Sequence, residues 1–187
     1  MKLLVIVGST RPGRVGRPVA DWVVQQAAAH GGFDVEVADL AEIDLPLLDE
    51  PVHPAQARYQ HQHTKDWSAR VAAADAFVFV MPEYNHSYNA ALKNAIDYLN
   101  REWAYKPVGL VSYGGVSGGL RAVQAIKPVI SALRMTPAAD AVTIPMVHSM
   151  MQDGAFAPTE IVATSAKTML DELVKLAAAL APLRAAA

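Results

Sequence analysis

Three short stretches carry residue types that could hold a ligand. The first is Gly8-Ser9-Thr10-Arg11-Pro12-Gly13-Arg14-Val15-Gly16-Arg17, with small residues, two hydroxyls and three arginines ahead of a helical segment. Backbone N–H groups, a helix N-terminus and guanidinium groups gathered in one place are what a phosphate dianion needs. The plainer reading is a βα turn whose arginines face solvent. The string has no G-x-x-x-x-G-K-[ST], so a P-loop lysine and magnesium-binding hydroxyl are missing. It also lacks G-x-G-x-x-G, which argues against a standard dinucleotide site and favours a ligand with a single terminal phosphate.

The second stretch is Pro82-Glu83-Tyr84-Asn85-His86-Ser87-Tyr88-Asn89. Pro82 holds Met81 extended and fixes the exit angle of the loop. Its free backbone donors and acceptors, with Tyr84 as an apolar surface, suit a planar heterocycle. Asn89 stands where it would cap the next helix. The third stretch runs Ser112-Tyr113-Gly114-Gly115-Val116-Ser117-Gly118-Gly119. Its four glycines let the backbone approach a flat ligand, or simply form a flexible turn. No catalytic triad or carboxylate pair is evident, so no residue is assigned as an acid or base. Zero cysteines exclude thiolate catalysis, disulfides and cysteine-ligated metals, and fit a reducing cytosol.

Strands must bring these stretches together. Short apolar runs at Leu3 to Val7, Asp34 to Asp39, Ala76 to Met81, Val108 to Tyr113 and Ala141 to Ile144 alternate with segments of helical period. The helices are expected from Pro18 to His30, Thr64 to Ala74, Ala90 to Arg101, Gly119 to Leu133 and Thr159 to Leu180. Strict alternation of this kind is the βαβ signature of a parallel sheet covered on both faces. All three stretches then follow strand ends, where ligands bind in open α/β sheets. Pro128 is expected to kink or shorten its helix. Leu45 to His63, with three prolines and three histidines, reads as a weakly ordered surface excursion. Its His61-Gln62-His63 run, with His53, reads as solvated surface, and no metal site is expected. Met146, His148, Met150 and Met151 are candidates for a pocket, a subunit contact or ordinary packing.

With 187 residues, 52% hydrophobic and 18% charged, the chain is expected to form a single domain spanning 1–187. A net charge of -2 argues against nucleic-acid binding through counterion release. The opening run Leu3 to Val7 is too short for a signal peptide. No apolar stretch reaches membrane-spanning length, so no membrane association is expected.

The strings GSTRPGR at Gly8 to Arg14, PEYNHS at Pro82 to Ser87, ALKNAIDYL at Ala91 to Leu99 and SYGGVSGGLRA at Ser112 to Ala122 resemble the NADPH-dependent FMN reductase family. That family has the flavodoxin-like fold and includes quinone, azo-dye and chromate reductases. The resemblance, from Leu3 to about Ile144, implies an α/β three-layer sandwich around a five-stranded parallel sheet of order 2-1-3-4-5. It implies bound FMN, with Ser9, Arg11, Arg14, Val15 and Gly16 as the phosphate loop. Pro82, Glu83, Tyr84 and Asn85 would run beside the isoalloxazine ring, and Ser112, Tyr113, Gly114, Gly115 and Ser117 around its pyrimidine side. Arg14 and Gly16 stand where the family often has serine and asparagine, and Asn89 where it often has proline.

The implied activity is a ping-pong cycle in which NADPH or NADH reduces the flavin and an oxidised acceptor then takes its place. Free flavin, a quinone, an azo compound or a metal oxyanion would serve as acceptor, with Tyr84, His86 and Tyr113 shaping its pocket. Arg14 and Arg17 are candidates for the 2′-phosphate of NADPH. The resemblance also implies a cytoplasmic homodimer or homotetramer, with the Ala90 to Arg101 helix, Trp103 and Tyr105 at the contact. The rival reading is a flavodoxin-type electron carrier, which the net charge of -2 and the arginines of the first loop weigh against.

Overall fold

The computed structural model describes residues 1–185. β1 (Lys2–Val7) is buried from Leu3 onward, and β3 (Ala76–Pro82) and β4 (Pro107–Tyr113) are buried along their whole length. Strands this apolar have no solvent face, so each must be covered on both sides. β2 (Asp34–Asp39) alternates exposed and part-buried residues, as suits the sheet edge. The strands run parallel in the order β2-β1-β3-β4, with Val5 beside both Val37 and Val78 and Phe79 beside Leu110.

The fifth position is filled by two short strands instead of the single Ala141 to Ile144 strand predicted. β5 (Thr136–Pro137) pairs the start of β4 and β6 (Val142–Ile144) pairs its end, both parallel. The order 2-1-3-4-5 expected of a flavodoxin-like fold is therefore present, with its last strand broken in the middle. Pro137 has no N–H to donate to the ladder, which limits the first fragment.

Helices cover both faces. On one, α1 (Gly16–His30) and α6 (Glu160–Ala185) pack Val19, Val23 and Leu173 against Val5 and Val78. On the other, α3 (Gln62–Ala73), α4 (Ala90–Asp97) and α5 (Leu120–Ala132) pack Trp67, Ile96 and Ile126 against Leu4, Phe77 and Phe79. Leu3, Val5 and Val7 thus point to one core, and Leu4 and Ile6 to the other, the period-two alternation of a strand. A one-turn helix, α2 (Leu40–Ile43), follows β2 directly. Among the described residues, no helix is long and apolar enough to cross a membrane.

Several boundaries differ from expectation. α1 begins at Gly16, so Pro18 falls inside its first turn, where a missing N–H still costs nothing. α5 runs through Pro128 and ends close to where it was expected. α4 ends at Asp97, and a 3₁₀ turn at Arg101–Trp103 follows. This turn carries Trp103 into the core, where its ring meets Phe77 edge-on at 5.0 Å and its indole N–H donates to the Ile96 carbonyl. Trp103 is fully buried, so it is unavailable to a subunit contact.

The Leu45 to His63 stretch is bracketed, not loose. Asn94 accepts from the Leu48 N–H and donates to the Pro46 carbonyl, while the single Tyr98 hydroxyl proton has Asp49 and Pro46 O as its two acceptors. Glu50 accepts from the N–H groups of Gln60 and His61. His61 and His63 stack on each other, and His63 pairs with Asp49.

Candidate functional site

The loops after β1, β3 and β4 meet at the carboxyl ends of these strands. In the first, Pro12 and Gly13 occupy the centre of a turn closed by the Arg14 N–H donating to the Arg11 carbonyl. Gly13 has φ +67°, which suits the third position of a type II turn with proline before it. The chain then enters α1 at Val15, which offers no side-chain cap. The first N–H groups of α1 are therefore left for a ligand or water.

The three arginines separate into two roles. Arg14 donates through Nη2 to Asp39 Oδ2 at 2.6 Å and through Nη1 to the Ser9 carbonyl at 2.9 Å. Arg17 spans Asp39, Asp21 and Glu42, so its guanidinium is spent on the protein. Both arginines therefore brace the loop against the end of β2. Arg11 is exposed and its side chain makes no hydrogen bond among the described residues.

The second loop is a tight hairpin. Tyr84 and Ser87 exchange N–H···O=C bonds of 2.8 and 3.0 Å across Asn85 (φ 49°) and His86 (φ 69°). Two successive left-handed residues make a type I′ turn, for which asparagine is well suited. Asn85 is exposed at the tip of this turn. Asn89 begins α4 but does not cap it with its side chain. Instead its Nδ2 donates to the Gly8 carbonyl at 2.6 Å, tying the second loop to the first.

Glu83 links the second loop to the third. Its backbone N–H donates to Tyr113 O, and its carboxylate accepts from Ser117 Oγ, the Arg121 N–H and Arg121 Nε. Burial opposes the charge on Glu83, but the Ser117 and Arg121 hydrogen bonds outweigh it and hold the carboxyl below its ordinary range. Arg121 also contacts His86 Nε2 at 2.9 Å. Ser112 is fully buried and donates to the Gly118 carbonyl, closing the third loop from inside. Ser112 and Ser117 thus turn their hydroxyls to the protein.

The third loop also recruits a segment from beyond β6. The N–H groups of Met146 and Val147 donate to Gly115 O and Gly114 O, and Gly114 N–H donates to Ile144 O. A short hairpin, β7 (Met151–Gln152) with β8 (Ala155–Phe156), anchors this segment by setting Phe156 edge-on to Trp22 of α1 at 5.2 Å.

These pieces enclose an open cavity of about 270 Å³. Ser9, Arg11, Arg14 and Val15 line one side, and Pro82, Glu83, Tyr84, Tyr113, Gly114 and Gly115 line the floor and far wall. Met146, Val147, His148 and Ser149 complete it. Met146 and His148 stood among the pocket candidates in the sequence, whereas Val147 and Ser149 carry no such signal. Gly16, Asn85, Ser112 and Ser117 do not line the cavity.

Tyr113 lines the cleft, but its hydroxyl is buried behind the wall, against Gly16 and near Ser9. Burial pushes its phenol well above the ordinary range, and Ser9 pulls more weakly the other way. Gly16 explains how the hydroxyl fits: any Cβ there would collide with Tyr113 Oη. Gly16 therefore acts by giving room, which an asparagine at this position could not do.

The chain matches the model of the NADPH-dependent FMN reductase family over residues 1–149. An NAD(P)H-dependent FMN reductase of Schizosaccharomyces pombe is 44% identical over 148 residues, covering 77% of this chain and 74% of that protein. An NADPH azoreductase of Bacillus sp. is 30% identical over 177 residues, covering 94% of this chain and 89% of that protein. Among solved structures, the flavoenzyme NAD(P)H:(acceptor) oxidoreductase FerB of Paracoccus denitrificans superposes with a TM-score of 0.75 at 22% identity, over 95% of this chain and 97% of that one. With both a family-wide match and close relatives across most of its length, this chain belongs to the NADPH-dependent FMN reductase family.

Proposed function

We propose that this protein is an NAD(P)H oxidoreductase whose cleft holds FMN and whose second substrate is a small oxidised acceptor. Bound FMN would supply the redox chemistry, taking hydride from the nicotinamide and passing electrons to the acceptor. The protein's part is then position and electrostatics. Arg11, Ser9 and the uncapped start of α1 with Val15 offer charge and donors suited to a terminal phosphate. Arg14 supports that loop through Asp39 and lines the same wall. Glu83, Pro82 and the Gly114–Gly115 backbone form a stiff edge for a planar ring, with Tyr84 40% exposed beside it. Asn85, Ser112, Ser117 and Gly16 act one step back, by shaping the loops.

The observation that carries this reading is the unpaired Arg11 guanidinium, exposed on the cleft beside the uncapped start of α1: a charge and a set of donors left for an anionic group.

Free flavin, a quinone, an azo compound or a metal oxyanion fits the open cleft as acceptor, and the similarity to an azoreductase supports the azo class. We read the described residues, 1–185, as one domain because both cores share one sheet, while 186–187 of the expected 1–187 domain lie outside the described residues. Pairing into a homodimer or homotetramer is supported by the exposed apolar side chains of Val116, Leu120 and Met146 around the cleft. The use of NADPH or NADH as electron donor supports a cytoplasmic setting.

The test is the visible spectrum of the FMN-reconstituted protein, recorded anaerobically before and after one equivalent of NADPH. Rapid bleaching of the flavin band is expected. Bound flavin that stays oxidised would instead make the protein an electron carrier, and failure to bind FMN would overturn the reading altogether.

A further inference from the structure

A second cavity is larger than the cleft. It has a volume of about 820 Å³ and lies at the opposite end of the sheet, beside Asp75 and Lys106, the residues just before β3 and β4. Four cations line it, Arg101, Lys106, Arg134 and Arg184, against two carboxylates, Asp75 and Glu102.

The carboxylates are already engaged. Glu102 accepts from Tyr59 Oη at 2.8 Å, Ser68 Oγ at 2.7 Å and the Asn100 N–H at 3.2 Å. Asp75 accepts from the Lys2 N–H and lies 3.5 Å from Arg184. Arg184 is also engaged, donating to the Tyr105 carbonyl at 3.2 Å, but the other three cations are less satisfied. Lys106 is buried, yet its ammonium donates only to the carbonyls of Val71 and Ala72 at the end of α3 among the described residues. It also lies 5.5 Å from the centre of the Phe77 ring. Arg101 makes no side-chain hydrogen bond or ion pair among these residues, and Arg134 reaches only the Tyr105 hydroxyl, at 3.2 Å. Burial, and then the nearby Arg184, lower the Lys106 amine to about 8, while Asp75 and Glu102 act more weakly in the opposite direction.

The backbone at the rim is also unusual. Tyr105 (φ 57°) and Arg134 (φ 59°) are both left-handed without being glycine, and the Tyr105 N–H donates to the Arg134 carbonyl at 2.9 Å. Arg134 is the left-handed residue of a Schellman cap that ends α5, its N–H on Ser131 O and the Met135 N–H on Ile130 O. The two conformations set the Arg134 guanidinium over the Tyr105 ring at 5.8 Å, at the mouth of the cavity.

We propose that this cavity is a second ligand site, which takes a small phosphomonoester by its dianionic phosphate. The excess of two positive charges matches one such dianion, arginines favour its oxygens, and the volume suits a small metabolite. Its place at the amino ends of the strands makes it independent of the flavin cleft.

The experiment titrates FMN-saturated protein with glycerol 2-phosphate, and separately with sulfate, by calorimetry at fixed ionic strength. Saturable binding is expected for both, weakened at least about tenfold by Arg101→Ala with Arg134→Ala. Arg101→Ala alone removes no intramolecular side-chain bond and should weaken binding several-fold without disturbing the fold. Sulfate keeps its charge near neutrality, so its affinity should fall from about pH 7 to about pH 9 as Lys106 loses its proton. No saturable binding to the FMN-saturated protein, or equal affinity in wild type and the Arg101 variants, overturns the proposal. An affinity for sulfate that ignores pH removes Lys106 from the site.

Discussion

The Arg14 guanidinium donates to Asp39 at 2.6 Å, and the Asp39 carboxylate is wholly withdrawn from solvent. Asp39 also receives Arg17 at 3.1 Å and the Ala41 N–H at 3.0 Å. One carboxylate at the end of β2 thereby holds the loop after β1, the start of α1 and the start of α2. Removing it leaves Arg14 part-buried without a counter-charge. Asp39→Ala should destabilise the protein by about 3 kcal/mol, since breaking a buried pair from one side strands the other ion. Urea unfolding of wild type and variant measures this directly; a loss below about 1 kcal/mol would show that the loop does not depend on the pair.

Arg11 and Arg14 should separate in a flavin titration. Arg11→Ala should weaken FMN binding by about 1.5–3 kcal/mol, the value of a charge-assisted hydrogen bond, with little change in the stability of the FMN-free protein. Arg14→Ala should lower that stability as well, because it also releases Asp39 and the Ser9 carbonyl. Flavin fluorescence quenching gives the affinities. An unchanged FMN dissociation constant in Arg11→Ala would remove Arg11 from the phosphate wall.

Gly16 and Tyr113 should couple. Gly16→Ala forces a methyl onto the Tyr113 hydroxyl and should cost about 1–3 kcal/mol through overpacking. Tyr113→Phe removes a buried hydroxyl whose polar neighbour is Ser9, so stability without ligand should change by about 1 kcal/mol or less. In the double variant the Gly16→Ala penalty should shrink, because the colliding oxygen is gone. Strictly additive stabilities from a double-mutant cycle would contradict the steric account.

Much of this architecture was legible because its strands are nearly continuous in valine, leucine and phenylalanine, a pattern that only a doubly covered sheet accommodates. The three loops followed from the strand ends. What stayed hidden depends on partners distant in sequence. Asp39 lies 25 residues from Arg14, and nothing local in the sequence says that a phosphate-loop arginine will turn back to β2. Val147 and Ser149 reach the cleft through backbone bonds between the neighbouring segment and Gly114 and Gly115, which leave no side-chain signature. The Asp153–Gly154 dipeptide does carry a hairpin signal, but strands of two residues are too short to show alternation. Trp103 misled because a bulky aromatic after a helix suits an interface and a core equally well.

The Glu83 clamp predicts a specific response to acid. The folded protein holds this carboxyl below its ordinary value, since the hydrogen bonds from Ser117 and Arg121 outweigh the cost of burial. A group depressed in this way contributes stability that is fully present above its unfolded pKa and lost as the pH falls through its folded one. Wild-type stability should therefore hold steady near neutrality and decline below about pH 4.5. Glu83→Gln keeps the shape but cannot ionise, so its stability should start lower and fall less over the same window. Because Arg121 is 48% exposed, solvent screens the pair and the difference near neutrality should be about 1 kcal/mol or less. The effect on flavin affinity should be larger, since the clamp fixes the β3 loop against the β4 loop at the wall of the cleft. Parallel acid profiles for the two proteins would mean that Arg121 and Ser117 do not hold Glu83 in its charged form.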